Sequence, residues 1–468
     1  MHALKPAGLA WLAGKTLLAA LLLGSAALAQ PQQQAQPTLQ AQAQPAGQVE
    51  FSRGVGFAQT PGQLPRILSK GAALMEGDRL TTAEGSAAII KLQDGTRMTL
   101  RPNSEMIVQT YQYREGSAEN AMVMQLLRGG FRAVTGLISK DAPEAARIQT
   151  ANATVGIHGT DFDARICAAD CKTEAAKVTD AARPNAVQAS AKLISAQGTI
   201  TAIDGAGTKR KLVEGASVYP GETVETGAVT KGVLIFRDES RMTLGANTRF
   251  KVDGFVFDDK NPTEGRFLVS LLRGSMRALT GIIGKANNRN VGFTTDTATI
   301  GIRGTGLDLD CPAEEATPES CSFFTWQGTI VVTAKGQTAF QTLQAGQGLF
   351  VSRTVIRPLT APTLERLQRP DTVPVDVKQL FSSGGVSAND EGLFVYVRDG
   401  HVEVSSASQT LQLGRGETGV ATSDGRSGRP VEMPLFIQAD KVPMPNSPNP
   451  TLASLVGEIK KQSSNLCR

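Results

Sequence analysis

The sequence repeats itself, and this constrains the fold of its 468 residues more than any other feature. LLRGGFRAVTGLISK (Leu126–Lys140) returns as LLRGSMRALTGIIGK (Leu271–Lys285), and ATVGIHGTDFD (Ala153–Asp163) returns as ATIGIRGTGLD (Ala298–Asp308). Upstream, KGAALMEGDRLTTAEG matches EGASVYPGETVETGAV, and DGTRMTLRPNS matches DESRMTLGANT. All these pairs are offset by 144 or 145 residues. A constant offset over separated strings means that a whole module was duplicated, so the chain should fold as two copies of one unit.

Within a module the pattern is strand and turn. SAAIIKLQDGTRMTLRPNS reads as two strands joined at Asp94-Gly95, whereas the second copy has Asp238-Glu239, which predicts a different or longer turn. In MVMQLLRGGFRAVTG, alternation places Val123, Leu127 and Phe131 on one face and Met122, Met124, Leu126, Arg128 and Arg132 on the other. The second copy sets Leu268, Leu272 and Met276 against Arg273 and Arg277. A shorter echo, QGTITAI (from Gln197), QGTIVVT (from Gln327) and DGHVEVS (from Asp399), each followed by a Leu- and Gly-containing turn, predicts three hairpins. With 5% aromatic and 19% charged residues but 48 glycines, the composition favours short strands and tight turns over helices.

The N-terminus has a basic start (Lys5, Lys15), a short apolar run and small residues ending at Ala29, the pattern of a cleaved secretory signal peptide. Its removal lowers the net charge from +5 to +3, which makes no case for nucleic acid. In an oxidising compartment, Cys167/Cys171 and Cys311/Cys321 are best read as two small-loop disulfides. Zinc would need further ligands that His158 and His401 do not supply at ligand spacing, and Cys467 is left over.

The expected organisation is a signal peptide (1–29), a disordered Gln/Ala/Pro linker (30–48), a first module (49–171), a connector (172–191) and a second module (192–353). A Pro-rich linker (354–374), a small third β-unit (375–442) resembling a fragment of the same architecture, and a flexible tail (443–468) with a short helix near 451–462 complete it. The fold class is all-β.

The ordered series G-x-x-L-x-x-G-D-x-L-x-T, L-x-D-G-T-x-M-x-L-x-x-N-S, L-x-G-x-F-R-x-V-T-G-L-I-x-K and G-I-[HR]-G-T-x-[FL] resembles the FecR domain, the periplasmic part of iron–citrate transmembrane sensors. The resemblance covers both long modules and, weakly, the third unit. It implies tandem antiparallel sandwich or β-roll domains and a partner that is another envelope or outer-membrane protein. The chain departs from the sensor plan in showing neither a cytoplasmic segment nor a spanning helix. The expectation is therefore a periplasmic or surface binding protein.

Several residues are candidates for that role. Arg128/Arg132 and Arg273/Arg277 could hold a carboxylate or phosphate, or could pair with Asp163 and Asp308 to stabilise each module. GIHGT and GIRGT could aim backbone N–H groups at an anion or mark a bulge, and His158 standing where Arg303 stands argues against imidazole chemistry. Asp78 and Glu222 suit turn hydrogen bonds. No nucleophile elbow, P-loop or dinucleotide fingerprint occurs. The expectation is no catalysis, no cofactor and no metal; the alternative is an adhesive or structural scaffold of repeated β modules.

Overall fold

The computed structural model describes residues 44–312 and 319–451. The expected signal peptide, most of the expected N-terminal linker, nearly all of the expected terminal helix and Cys467 lie outside the described residues. About half of what is described is strand, arranged in two large sheets with a few one- or two-turn helices. The all-β class is what the short alternating runs and frequent glycine turns dictate.

Four strands organise the molecule: β1 (Ala153–Cys167), β2 (Ala298–Cys311), β3 (Ser320–Ala334) and β4 (Gly392–Ser406). Along one edge, the first half of β1 pairs with Ala146–Gln149 and the second half with Gly130–Val134. Each half thus seeds its own run of strands, and the sheet folds back on itself around one core, as in a β-roll. The second module repeats this with β2, Val291–Thr294 and the end of Arg266–Leu279. Each module departs from all-antiparallel pairing once: Ala121–Arg128 runs parallel to Ala146–Gln149, and Phe267–Ser270 runs parallel to Val291–Thr294.

The other edge distinguishes the modules. β2 is closed by β3, the next strand in the chain, which is backed by Phe340–Gln344 and Gln347–Ser352. β1 is closed by β4, more than 200 residues downstream, which is backed by Thr410–Gly414 and Thr418–Thr422. The expected third unit is therefore not a separate sheet. Its Leu393, Val395, Val397, Val402, Val404, Leu411, Leu413 and Ala421 are buried in one cluster with Val155, Ile157 and Phe162 of the first module. The second module, with its own core, is inserted into the first.

The long strands bend at left-handed glycines: Gly159 (φ 62°) in β1, Gly304 (58°) in β2, Gly328 (75°) in β3 and Gly400 (86°) in β4. The bends nest in pairs. A Cβ on Gly400 would sit 2.5 Å from Gly159 O, and one on Gly328 would sit 2.3 Å from Gly304 O, so no larger residue fits there. The GIHGT and GIRGT motifs are these corners, each with a local register shift.

Two turn expectations are settled by the same kind of detail. Asp94-Gly95 forms a tight hairpin with Gly95 at φ 87°. Asp238-Glu239 forms the same hairpin, not a longer one, with Glu239 at φ 67°. The Asp side chain specifies the turn in both: Asp94 accepts from Thr96 N and Oγ1 (3.1 and 2.8 Å), and Asp238 accepts from Ser240 N and Oγ (3.1 and 2.8 Å).

Candidate functional site

Arg128 and Arg132 do not share a face. Gly129 (φ 69°) interrupts the alternation between them, so Arg128 stays in solvent while Arg132 turns inward beside buried Phe131. Gly274 (φ 86°) does the same between exposed Arg273 and buried Arg277. Phe131 therefore lies in the core with Met122, Met124 and Leu126, against the sequence expectation.

The inward arginines form two clamps of common design. Arg132 pairs with Asp163 at 2.7 Å and reaches Asp440 at 2.6 Å; it also donates to Val442 O, and Arg101 closes on the same Asp440. Arg277 pairs with Asp308 at 2.9 Å and donates to Leu364 O and Leu367 O at 3.0 and 2.7 Å. In each case the guanidinium holds down a strap of chain that follows the module's last strand. The Pro-rich segment after Arg353 is one of these straps: Ile356–Leu359 pairs with Gln347–Ser352, and Leu364 and Leu367 are buried. Burial pushes the Asp440 carboxyl up, yet Arg101 and Arg132 together hold it at about 2. Burial wins at Asp308, whose carboxyl is raised despite Arg277. The groups over the clamps differ: Arg398 donates to Asp163 at 2.7 Å, whereas Trp326 Nε1 donates to Asp308 at 3.0 Å and carries Arg369 3.9 Å above its ring.

The outward arginines stand beside half-exposed leucines, Leu127 with Arg128 and Leu272 with Arg273. Across the ladder Arg128 faces Glu105, and Arg273 faces Arg249. Two clefts of about 380 and 390 Å³ flank the second strap and share Lys231 and Glu365.

His158 and Arg303 occupy the strand corners but meet different neighbours. Arg303 is exposed on β2. His158 is partly covered and lies against His401 of β4, with ring centroids 5.2 Å apart. Asp78 is fully buried, accepting from Met75 N at 2.7 Å and pairing with Arg66; Glu222 accepts from Tyr219 N at 2.9 Å and pairs with Arg210 at 2.7 Å.

Cys167–Cys171 and Cys311–Cys321 are disulfides with Cα–Cα distances of 5.5 and 4.2 Å. The first staples the end of β1 to a short helix (Ala169–Ala175) beside Phe436; the second links β2 to β3. No group of three or more metal-binding side chains occurs among the described residues.

Sequence reasoning missed the joint between modules. Lys192, at the start of the second module, is fully buried and lies 3.6 Å from Glu417, which Arg429 holds at 2.9 Å. Lys192 also donates to Gln412 O, Asn185 donates to Thr418 O and Pro430 O, and Tyr219 OH accepts from Arg415 N. Burial lowers the Lys192 ammonium to about 8 although Glu417 opposes that shift. The repeat gives no signal for this network: Gln48, which aligns with Lys192 in the other copy, is exposed.

Comparison with known proteins names the duplicated frame. The FecR protein family model matches residues 78–179 and 222–331. The two matched segments fall one in each copy of the repeat and take in β1 and β2, so a FecR domain is recognised twice along the chain. No curated protein matches the sequence. Two crystal structures of a candidate anti-sigma factor from Parabacteroides distasonis ATCC 8503 align at 14% identity and a TM-score of 0.25, over 31% of this chain and 62% of theirs. The chain thus spans less than two thirds of that protein, and so slight a likeness carries no functional argument.

Proposed function

We propose that this is a non-catalytic exported protein whose two FecR modules bind another component of the cell envelope within a sensing or signalling pathway. The observation that carries the reading is the repeated surface pair Leu127-Arg128 and Leu272-Arg273. Internal duplicates keep buried residues because packing demands them. An apolar and a cationic side chain held side by side in solvent in both copies serves no such demand, and an Arg beside an apolar contact suits a carboxylate-bearing protein surface. Export is supported by the leader-like N-terminus and by two disulfides in a chain with few cysteines. No helix of the described residues is long and apolar enough to cross a membrane.

The test is co-purification from envelope extract with wild type and with Arg128→Ala/Arg273→Ala, folding being followed by circular dichroism. A partner captured by wild type and lost from the folded double variant supports the reading. Equal capture by both removes the arginines from the interface. No envelope partner for wild type favours the scaffold reading, which the interlocked modules and their buried ionic joint also support.

A further inference from the structure

Of the chain's three histidines, one is His2; the other two, 243 positions apart in sequence, are the stacked pair His158 and His401. They are direct cross-strand partners in the β1–β4 ladder that closes the first module. Alternation along β4 sends Val402 and Val404 into that core and His401 to the opposite side, where it should meet water. It is instead only 4% exposed. The second module covers it: Gly414, paired with His401 on the next strand, comes so close that a Cβ there would sit 2.5 Å from Ser217 Oγ and 2.6 Å from Tyr219 OH. Neither nitrogen of His401 makes a well-formed hydrogen bond among the described residues, although the nearby Gln412 side chain favours its protonated form.

We propose that the His158–His401 stack is a proton-sensitive fastener of the joint between the modules, closed while both rings are neutral and loosened when they take up protons. The charges facing the pair come from every side. Glu403 on β4 and Glu144 on the short helical turn Pro143–Ala145 favour a cation at His158. Lys192 and Arg210, from the second module, oppose one at His401, as does a charged His158. The stem of Lys140 lies close to Gly159, one residue from His158. Burial is the largest influence on both rings and lowers both below the ordinary histidine value, His401 further. The sign follows: the separated chain takes up protons from about pH 6.5 downward while the joint resists them, so the joint is intact above that pH and weakens as pH falls. His158 should charge first and, once charged, add to the repulsion at His401.

The test uses the full chain. The imidazole Cε1–H resonances are titrated by NMR, and hydrogen exchange, corrected for the intrinsic chemical rate, is followed from about pH 7.5 to about pH 5.5. The expected result is that both buried rings titrate below the ordinary histidine value. Exchange in β4 and in residues 191–219 should rise by about tenfold or more, with β2 as an unchanged internal control. His158→Gln should flatten that pH dependence while keeping the joint closed at neutral pH. Either ring titrating at or above about 6.5, unchanged exchange, or an undiminished response in His158→Gln would overturn the proposal. The wild-type titration decides the matter even where the variant folds poorly.

Discussion

The two modules share a frame and differ in what fills and closes it. At aligned positions the first carries Leu92, Met106, Tyr111, Met122 and Ile148, and the second carries Phe236, Phe250, Phe255, Phe267 and Phe293. Four of the phenylalanines form a linked cluster, with centroid distances of 4.7 Å for Phe236–Phe267, 5.6 Å for Phe255–Phe267 and 6.2 Å for Phe267–Phe293. Flexible methionine fills irregular space where rigid rings impose edge-to-face geometry, yet the ladders are the same. The frame is thus specified by the glycine corners and the Asp-centred turns more than by the filling. Closure differs more sharply: β3 follows β2 within one short loop, whereas β4 reaches β1 only after the whole second module. Non-local pairing costs more loop entropy before it is rewarded, so the second module should fold first.

The strongest challenge to this contrast is to remove residues 392–468. That strips β4 from β1 and exposes Val155, Ile157 and Phe162, a loss comparable with a domain's whole stability of about 5–15 kcal/mol. Hydrogen exchange should show protection lost across residues 47–167 and retained across 191–359; protection retained in both would mean that the first module is complete without β4.

Acid should separate the modules next. The Asp440 carboxyl, held at about 2, contributes stability that is present above its ordinary value of 3.8 and is lost as pH falls toward 2, about 2 kcal/mol in all. The second clamp uses carbonyls in place of Asp440, and the raised Asp308 has the opposite sign, losing stability as pH rises. Denaturant unfolding at stepped acid pH should therefore weaken the first module preferentially, and Asp440→Asn should remove its pH dependence.

Exchanging filling across copies is a finer probe. Met122→Phe and Phe267→Met keep the interior apolar, and each should cost less than about 1.5 kcal/mol if the frame dominates. A cost near the roughly 3–5 kcal/mol of a full phenylalanine truncation would show that the aromatic cluster is part of the specification. The smallest effect belongs to the turns. Glu239→Gly should raise the thermal midpoint by relieving a left-handed non-glycine residue, about 1 kcal/mol, and Gly95→Ala should lower it by at least as much.

The all-β class was legible because alternation and turn residues are local signals. The kinship of QGTIVVT and DGHVEVS was legible too, and the structure gives its meaning: Gly328 and Gly400 are the matched bends of β3 and β4. That the second of these strands belongs to the first module was not legible, since sequence order says nothing about which open edge a strand will join. The placement of Arg128 and Arg132 was misread for a physical reason, a left-handed glycine that resets the alternation. Arg132 pairs with Asp163 and Arg277 with Asp308, one of the two roles weighed for them, but their strap contacts come from residues that no motif marks. The Lys192–Glu417–Arg429 joint and the histidine pair arise where the inserted module meets its host, a surface that each repeat considered alone does not possess.

An inserted module also sits outside the line of force. A pull applied between Gly47 and Val442 would load only the first module and the β1–β4 seam, because both ends of the loaded span belong to it. The second module would hang as an untensioned side branch until that seam tore, and only then would its own strands be drawn taut.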